Sequence, residues 1–94
     1  MFLHITDARY VGKYKIEVVF NDGKKGVADL SPVITRGVFQ KLKDESLFSK
    51  VTVDRELDTI TWPCCLDLAP EYVYFLTFEG DQTLQEKFKD WGYA

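Results

Sequence analysis

One stretch of the chain, residues 61–71, constrains its fold more than any other. It reads TWPCCLDLAPE. Its first residues favour a strand, and Pro63 ends that strand with a turn because proline has no N–H to donate to a sheet. Pro70 followed by Glu71 predicts a helix start, since proline is favoured in the first turn and an acidic side chain suits the positive helix end. A strand end, a turn and a helix start therefore follow one another here, and the stretch also holds both cysteines.

A β-hairpin is predicted upstream of this stretch. Residues 14–20 alternate between apolar and polar side chains, which is the pattern of a half-buried strand. Gly23 accepts the positive φ that a tight turn requires, so residues 21–23 mark the turn and residues 25–30 form the partner strand. Residues 2–10 mix β-prone and polar side chains and are predicted to be a first strand.

The register of this hairpin is predicted from the alternation of its side chains. A two-residue loop would place Glu17 opposite Ala28, whereas a three-residue loop at residues 22–24 places Val18 there. A shift by one residue turns every side chain of a strand to the other face of the sheet. Because the three-residue loop keeps the apolar face intact, the sequence predicts that loop.

Short helices and a second hairpin complete the predicted secondary structure. In chain order the sequence predicts a helix at 38–43 with Val38 on its apolar side, a helical turn at 47–48, strands at 51–54 and 59–62, a helix at 70–78 and a short helix capped by Asp81. The predicted fold class is α+β: a small antiparallel sheet, built from two hairpins and an N-terminal strand, with short helices packed on one face. Residues 1–80 are expected to form one domain and residues 81–94 an amphipathic C-terminal extension.

The C-terminal extension has an apolar stripe. Leu84, Phe88 and Trp91 are spaced at i, i+4 and i+7, which places them on one side of a helix. Isolated helices of fewer than ~12–15 residues are marginal in water, so the stripe must dock on its own sheet or on a second copy of the chain. The sequence favours the second alternative, a homodimer, because the strands and the helix at 70–78 can already cover one another. Trp91 and Tyr93 are therefore candidate contacts to a partner.

Charge and composition bear on the partners of the chain. It has 94 residues with a net charge of −3, and its 12 Lys and Arg residues are scattered along the sequence. A surface that follows phosphates needs a concentrated positive field, so direct nucleic-acid binding is not expected. No secretory signal opens the sequence, and no apolar run approaches the ~20 residues of a membrane span. We therefore expect a cytoplasmic protein with a protein partner and no membrane contact.

A series of short motifs resembles a known family. The motifs occur in a fixed order within residues 5–74, and they are Phe20-Asn21-Asp22-Gly23, Asp29-Leu30-Ser31-Pro32, Gly37-Val38-Phe39, Val51-Thr52-Val53-Asp54 and Trp62-Pro63 followed by Leu66-Asp67-Leu68-Ala69-Pro70-Glu71. Together they resemble the bacterial domain-of-unknown-function family 2442. The resemblance implies a small α+β bacterial domain with no assigned reaction.

The same resemblance implies two settings for the domain. In some relatives a helix-turn-helix DNA-binding module follows it, and others are encoded beside another small protein, as in a toxin–antitoxin pair. Because this chain ends at Ala94, an appended module of that kind, and DNA binding by that route, are not expected. Cys64 and Cys65 stand where the family usually has Asn-Gly, a turn pair.

The two adjacent cysteines are the sharpest chemical candidates. Cys64 and Cys65 precede a predicted helix start, where the helix dipole can favour a reactive thiolate. The favoured explanation is that small apolar residues have replaced a turn pair. His4 is the only histidine, and with the cysteines it supplies three of the four ligands of a structural zinc site. No metal or cofactor is therefore expected.

Asp67, Glu71 and Trp62 complete the candidate site. Asp67 and Glu71 lie four residues apart, as paired carboxylates can in acid–base chemistry. Acidic side chains are also what the positive end of a helix attracts, and this second explanation is favoured. Trp62 is expected in the core, although aromatic side chains are also common at binding hot spots.

The sequence names no reaction and favours a non-catalytic protein-binding or regulatory module, such as the antitoxin-like member of a two-gene pair. Its candidate binding residues are Trp62, Cys64, Cys65, Asp67, Glu71, Trp91 and Tyr93. One alternative is a small ligand-binding protein or a thiol-dependent enzyme that uses the turn at 64–71. Another is an accessory to transcription without a helix-turn-helix of its own. Thiol reactivity separates the first two hypotheses, and co-purification separates the first from the third.

Overall fold

The computed structural model describes residues 3–63 and 66–93. These residues contain five strands and five short helical segments. The strands are β1 (Ile5–Gly12), β2 (Lys15–Phe20), β3 (Lys25–Asp29), β4 (Thr52–Asp54) and β5 (Thr59–Thr61). The α-helices are α1 (Glu45–Phe48), α2 (Pro70–Phe78) and α3 (Gln85–Asp90), and 3₁₀ helices span Gly37–Lys43 and Gln82–Leu84. The predicted α+β class is confirmed.

The strands form two antiparallel sheets. One has the order β1-β2-β3, and the other is the β4–β5 hairpin. On β2 the side chains of Ile16, Val18 and Phe20 are buried, as the two-residue period of a strand dictates. Helix α2 packs closely on this buried face, since a Cβ atom added to Gly26 of β3 would lie 2.6 Å from Thr77 Cγ2. The opposite face of the three-stranded sheet carries charged side chains, among them Arg9, Glu17 and Lys25.

The register of the β2–β3 hairpin differs from the prediction by two residues. Val18 lies opposite Gly26 and not opposite Ala28, and the three-residue loop spans residues 21–23 instead of 22–24. A shift by two residues leaves every side chain on its original face. The alternation of apolar and polar residues therefore predicted the buried face correctly and could not distinguish the two registers.

The hairpin loop is closed by a turn that ends at Gly23. The Gly23 N–H donates to the Phe20 carbonyl over 3.0 Å, and the Phe20 N–H donates to the Lys24 carbonyl over 2.9 Å. Gly23 has a φ of +87°, in the left-handed region that glycine enters without the steric cost of a side chain. A type I turn followed by such a residue is a common three-residue loop. This local geometry fixes the register that the side-chain pattern left open.

Replacing Gly23 with valine is expected to lower the free energy of unfolding by about 1–2 kcal/mol, the cost of a side chain in the left-handed region. Among the described residues beyond its chain neighbours, no heavy atom lies within 4 Å of a Cβ at this position, so the cost is conformational and not steric. Gly80→Val is the matched control, because Gly80 has the same open space without a positive φ. Unfolding midpoints in denaturant measure both variants. Equal losses in the two would contradict the assigned turn.

The helix predicted at 38–43 has fewer residues per turn than expected. It is a 3₁₀ helix that begins at Gly37, and Val38, predicted on its apolar side, is 59% exposed. Leu42 is fully buried and Phe39 is half-buried. A 3₁₀ helix has three residues per turn, so positions 39 and 42 share a face that position 38 does not. The placement of Val38 was therefore wrong because an α-helical period was assumed.

The C-terminal extension packs against its own chain. Leu84 and Phe88 are buried, and the ring centroid of Phe88 lies 5.1 Å from that of Phe75 on α2. Asp81 begins the segment by capping, since its side chain accepts a hydrogen bond from the Thr83 N–H. The apolar stripe is thus covered within one chain. The homodimer inferred from this stripe stays a prediction. A second copy is not needed to bury Leu84 and Phe88.

A hydrogen bond links α2 to the β2–β3 turn. The Tyr74 hydroxyl donates to Asp22 Oδ2 over 3.0 Å. Burial of the ring raises the pKa of Tyr74 to about 12, and the hydrogen bond to Asp22 is the second cause of the shift. The turn that sets the hairpin register is therefore held by the helix that covers the sheet.

Stability is expected to fall as the pH rises from about 10 to about 12. The unfolded chain loses the Tyr74 proton near the ordinary pKa of 10.0, whereas the folded chain keeps it until about 12. The unfolded state then binds fewer protons across this window, so the free energy of unfolding decreases with pH. Denaturant unfolding at several pH values within the window measures the slope. Tyr74→Phe removes this titration and should flatten it, and an equally steep slope in that variant would assign the loss to other groups.

Candidate functional site

A cavity of about 320 Å³ opens beside the β4–β5 hairpin. Its lining residues are Asp54, Leu57, Thr61, Trp62, Leu66 and Asp67. Concave sites that combine apolar surface with a few polar groups are the usual places where proteins bind ligands. We call this cavity the hairpin pocket. Of the candidate residues that the structure describes, Trp62 and Asp67 lie in it.

A reversal of the chain after β5 forms one wall of the hairpin pocket. The Trp62 N–H donates to the Leu66 carbonyl over 2.9 Å, and Thr61 pairs with Asp67 in an isolated antiparallel bridge. The chain therefore turns back on itself between β5 and α2, as the proline-bounded stretch predicts. The reversal brings an aromatic residue at the strand end and a carboxylate before the helix to the same cavity.

Trp62 is the buried member of the hairpin pocket. Its side chain is 3% exposed, and its indole N–H donates to the Phe48 carbonyl over 3.0 Å. The ring centroids of Trp62 and Phe48 are 5.8 Å apart. A buried tryptophan whose polar atom is paired in this way contributes mainly to packing. Trp62 is thus a core residue, as the sequence predicts, and offers little surface to a ligand.

The loop of the β4–β5 hairpin supplies the exposed side of the pocket. Asp54 Oδ1 accepts hydrogen bonds from the N–H groups of Glu56 (2.8 Å) and Leu57 (3.2 Å). The Asp58 N–H donates to the Asp54 carbonyl over 2.7 Å, which closes the loop. Leu57 is left 53% exposed beside the cavity. Asp54 and Leu57 were not predicted as site residues, although the apolar Leu57 stands out in the otherwise charged loop at 55–58.

The lining of the hairpin pocket is apolar and negatively charged. Its apolar surface comes from Leu57 and Leu66 as well as the edge of the buried ring, and its carboxylates are those of Asp54 and Asp67. Asp67 is exposed and Asp54 is half-buried. No Lys or Arg is among its described lining residues. Such a surface favours a ligand that combines a cationic group with an apolar one.

The other candidate residues do not line the hairpin pocket in the described part of the chain. Glu71 stands in the first turn of α2, and Trp91 and Tyr93 follow α3. Cys64 and Cys65 lie outside the described residues. The pairing of Asp67 with Glu71 for acid–base chemistry, which was the less favoured interpretation of the sequence, is therefore not part of this cavity.

Trp91 and Tyr93 belong to an aromatic cluster on α2. The ring centroid of Tyr93 lies 5.5 Å from that of Tyr72 and 5.3 Å from that of Phe75. Burial raises the pKa of Tyr93, and the Glu71 carboxylate raises it further. These contacts lie within one chain, so the partner contacts expected for Trp91 and Tyr93 stay predictions.

Two pairs of lysines, separated by more than twenty residues in the sequence, lie on segments that are in contact. Tyr14 lies in the turn between β1 and β2, and its hydroxyl donates to the Lys43 carbonyl over 2.6 Å. Lys13 and Lys15 flank Tyr14 in the chain, and Lys41 shares the first 3₁₀ helix with Lys43. All four lysines are exposed. We call Lys13, Lys15, Lys41 and Lys43 the lysine group.

Neither a metal centre nor a membrane span is found in residues 3–63 and 66–93. No three side chains of the His, Cys, Asp or Glu type are grouped there so that they could hold a metal ion. No helix within the same ranges is both long enough and apolar enough to cross a bilayer. Asp54 and Asp67 of the hairpin pocket therefore stand as two carboxylates without a third ligand among these residues.

Sequence comparison identifies the family. Residues 5–79 match the model of a family described as protein of unknown function, DUF2442. The chain belongs to this family. The resemblance seen in the motifs is thus confirmed, and the match reaches through α2 to the residue after it.

The fold of this DUF2442 protein is similar to a crystal structure of a candidate DNA-binding protein from Nitrosomonas europaea. The TM-score is 0.76 at 18% sequence identity, and the match covers 97% of this chain. The chain spans 59% of the length of that protein. A search of curated proteins found no match.

The expectation that this DUF2442 protein does not bind nucleic acid directly is contradicted by this likeness, because a protein of the same fold is described as a candidate DNA-binding protein. The expectation rested on net charge and on the spacing of basic residues along the sequence. Binding to phosphates depends instead on the local field that folding creates. The hydrogen bond from the Tyr14 hydroxyl to the Lys43 carbonyl shows that folding brings together basic segments that lie far apart in the sequence.

Proposed function

We propose that this DUF2442 protein is a non-catalytic protein-binding module with a regulatory role, as in the antitoxin-like member of a two-gene pair. Its binding site in this proposal is the hairpin pocket. The observation that supports it best is the half-exposed Leu57, which the capped loop holds beside two carboxylates. Exposed apolar side chains in a preformed concave site are typical of recognition surfaces.

The lining chemistry suggests the kind of segment that this pocket takes. A cationic side chain would meet the carboxylates of Asp54 and Asp67, and an apolar neighbour would cover Leu57 and Leu66. Charge-assisted hydrogen bonds are stronger than neutral ones, and apolar burial adds to them. We therefore propose a peptide segment of the partner in which Lys or Arg stands beside an aliphatic or aromatic residue.

A displayed library of random peptides tests this proposal. Panning on the immobilised protein is expected to enrich peptides in which Lys or Arg is adjacent to an apolar residue. Binding of an enriched peptide, measured by fluorescence polarisation, should weaken by about tenfold in Leu57→Ser, since a contact of ~1.4 kcal/mol corresponds to that factor. Enrichment of sequences without this pairing would contradict the proposed specificity.

Val38→Ser is the matched control for that variant. Val38 is 59% exposed and Leu57 is 53% exposed, but Val38 does not line the hairpin pocket. The control should therefore keep the affinity of the unaltered protein. Asp67→Asn tests the charge in the same way, with Asp90→Asn on α3 as its control. Equal losses in a variant and its control would place the binding site elsewhere.

The cysteines have no catalytic role in this proposal. Cys64 and Cys65 should then react with iodoacetamide at about pH 6 as slowly as an ordinary thiol of pKa ~8.5 does. Mass spectrometry of timed samples measures the rate for each cysteine. Rapid alkylation of either one would contradict the proposal and favour a thiol-dependent enzyme that uses the turn at 64–71.

Nucleic-acid binding is a second candidate function, favoured by the likeness to the Nitrosomonas europaea protein. On this chain its contact surface would be the lysine group. Fluorescence anisotropy with a labelled DNA duplex at low salt tests it. Each lysine that contacts a phosphate should steepen the salt dependence of binding by about one unit of slope on a double-logarithmic plot.

Lys43→Gln separates this function from non-specific attraction. It should weaken binding for all duplex sequences alike and lower the salt slope by about one. Lys89→Gln, an exposed lysine on α3, is the control and should leave both unchanged. Equal effects of the two substitutions, or no binding at low salt, would remove the lysine group as a nucleic-acid contact.

A further inference from the structure

Strand β3 has one edge that is not paired with any other described strand. The order of the sheet is β1-β2-β3, so β2 covers one side of β3 only. The edge of β1 at the opposite side of the sheet is partly occupied, since the Ile5 N–H donates to the Asp58 carbonyl and Arg55 donates to the Thr6 carbonyl. An unpaired strand edge is a template for another strand. Among the described residues the edge of β3 is therefore open to pairing along its length.

The alternation of hydrogen bonds shows which groups of β3 point outward. The Phe20 N–H bonds to the Lys24 carbonyl, and the Leu30 N–H bonds to the Tyr14 carbonyl. In an antiparallel pair every second residue bonds to its neighbour strand, so the even-numbered positions of β3 face β2. The N–H and C=O groups of Lys25, Val27 and Asp29 consequently face the open edge. Their side chains are all exposed, and Val27 is 45% exposed.

These three residues form a self-complementary series. In an antiparallel pair of two β3 strands centred on Val27, each Lys25 would stand opposite Asp29 of the second copy, and the two valines would stand opposite each other. Opposite charges and apolar pairs at directly opposed positions stabilise a sheet, whereas like charges destabilise it. A lysine on an edge strand usually prevents pairing. Here Asp29 at the symmetric position would turn that barrier into an attraction.

We propose that β3 pairs with β3 of a second copy of this chain, so that two three-stranded sheets join into one six-stranded sheet. The pairing uses six outward backbone groups of each copy and is independent of both the hairpin pocket and the C-terminal stripe. The Ser31 N–H and hydroxyl donate to Asp29 Oδ1 over 3.0 and 2.8 Å, which holds its carboxylate in place beside the edge. Lys25 Nζ lies 3.6 Å from Glu17 Oε1 of its own strand pair. The dimer would therefore place a second carboxylate at each Lys25.

Sedimentation velocity over a range of protein concentrations tests the proposal. The intact chain should reach twice the mass of 10.9 kDa at tens of micromolar protein. Val27→Pro removes an outward N–H and no bond to β2, so the chain should stay folded by circular dichroism while the dimer dissociation constant rises by about tenfold or more. A chain that stays monomeric at all concentrations would overturn the proposal. A dimer that Val27→Pro leaves unchanged would do the same.

Charge reversal gives a second, independent measurement. Lys25→Glu alone and Asp29→Lys alone should each dissociate, because each places like charges opposite each other in a homodimer. An equimolar mixture of the two variants should form a heterodimer, since both of its cross-strand pairs are then complementary. Lys89→Glu is the control for net charge and should dimerise like the unaltered chain. Folded variants that fail to associate when mixed would contradict the antiparallel register centred on Val27.

Discussion

Replacing Trp62 with alanine is expected to lower the free energy of unfolding by about 3–5 kcal/mol, the range for truncating a large aromatic side chain in a core. Trp62 is 3% exposed and packs against Phe48 at the point where the β4–β5 hairpin meets α1. The substitution also leaves the Phe48 carbonyl without the indole donor that it has now. Against a stability of ~5–15 kcal/mol for a domain of this kind, such a loss is large. Urea unfolding followed by far-ultraviolet circular dichroism measures it.

Two further variants separate the causes of this loss. Trp62→Phe keeps an aromatic ring and loses the hydrogen bond, so it should cost less than the alanine variant. Leu57→Ala removes an exposed residue of the same pocket and should change stability by no more than about 0.5 kcal/mol, as surface substitutions usually do. A Trp62→Ala loss as small as that of Leu57→Ala would show that Trp62 is a pocket residue and not part of the core.

The faces of the strands could be predicted from the sequence because a strand repeats every two residues. Ile16 and Val18 are buried as the alternation indicates. The register could not, because the same alternation is satisfied by pairings that differ by two residues. What decides it is the turn at Gly23, whose hydrogen bond to Phe20 is a property of three-dimensional geometry. The start of α2 at Pro70 was predictable, since the rule for proline in a first helical turn is local.

The candidate site was predictable only in part, because it is made by contacts between distant segments. Asp67 was selected from the sequence, but Leu57 became a site residue only when the capped loop and the chain reversal met at one cavity. The two segments of the lysine group meet through tertiary contacts, among them the hydrogen bond from the Tyr14 hydroxyl to the Lys43 carbonyl. The spacing of charges along the chain does not predict such a contact. Local rules therefore predicted elements, and the functional surfaces arise from how those elements meet.

Ending the chain at Gly80 is expected to lower the free energy of unfolding by about 3–6 kcal/mol. The segment removed contains Leu84 and Phe88, both buried, and burial of each such side chain contributes ~1.5–3 kcal/mol. Its removal also exposes Tyr74 and Phe75, whose rings lie 6.4 and 5.1 Å from that of Phe88. Chemical denaturation of the two chains at equal concentration measures the difference. The shortened chain should also show a lower thermal midpoint.

Phe88→Ala distinguishes an intramolecular role of the tail from a role in association. If the tail covers α2 of its own chain, this variant should lose about 3–5 kcal/mol of stability at every protein concentration. The reason is that no second copy takes part in the contact between the tail and α2. If the stripe instead joined two copies, the loss would shrink on dilution, since both proteins would then be monomers. Sedimentation mass and unfolding midpoint, followed together across the same dilution series, give the answer. A mass that halves in Phe88→Ala while the monomer keeps its midpoint would refute the contact between α3 and α2 as the reason for the stripe.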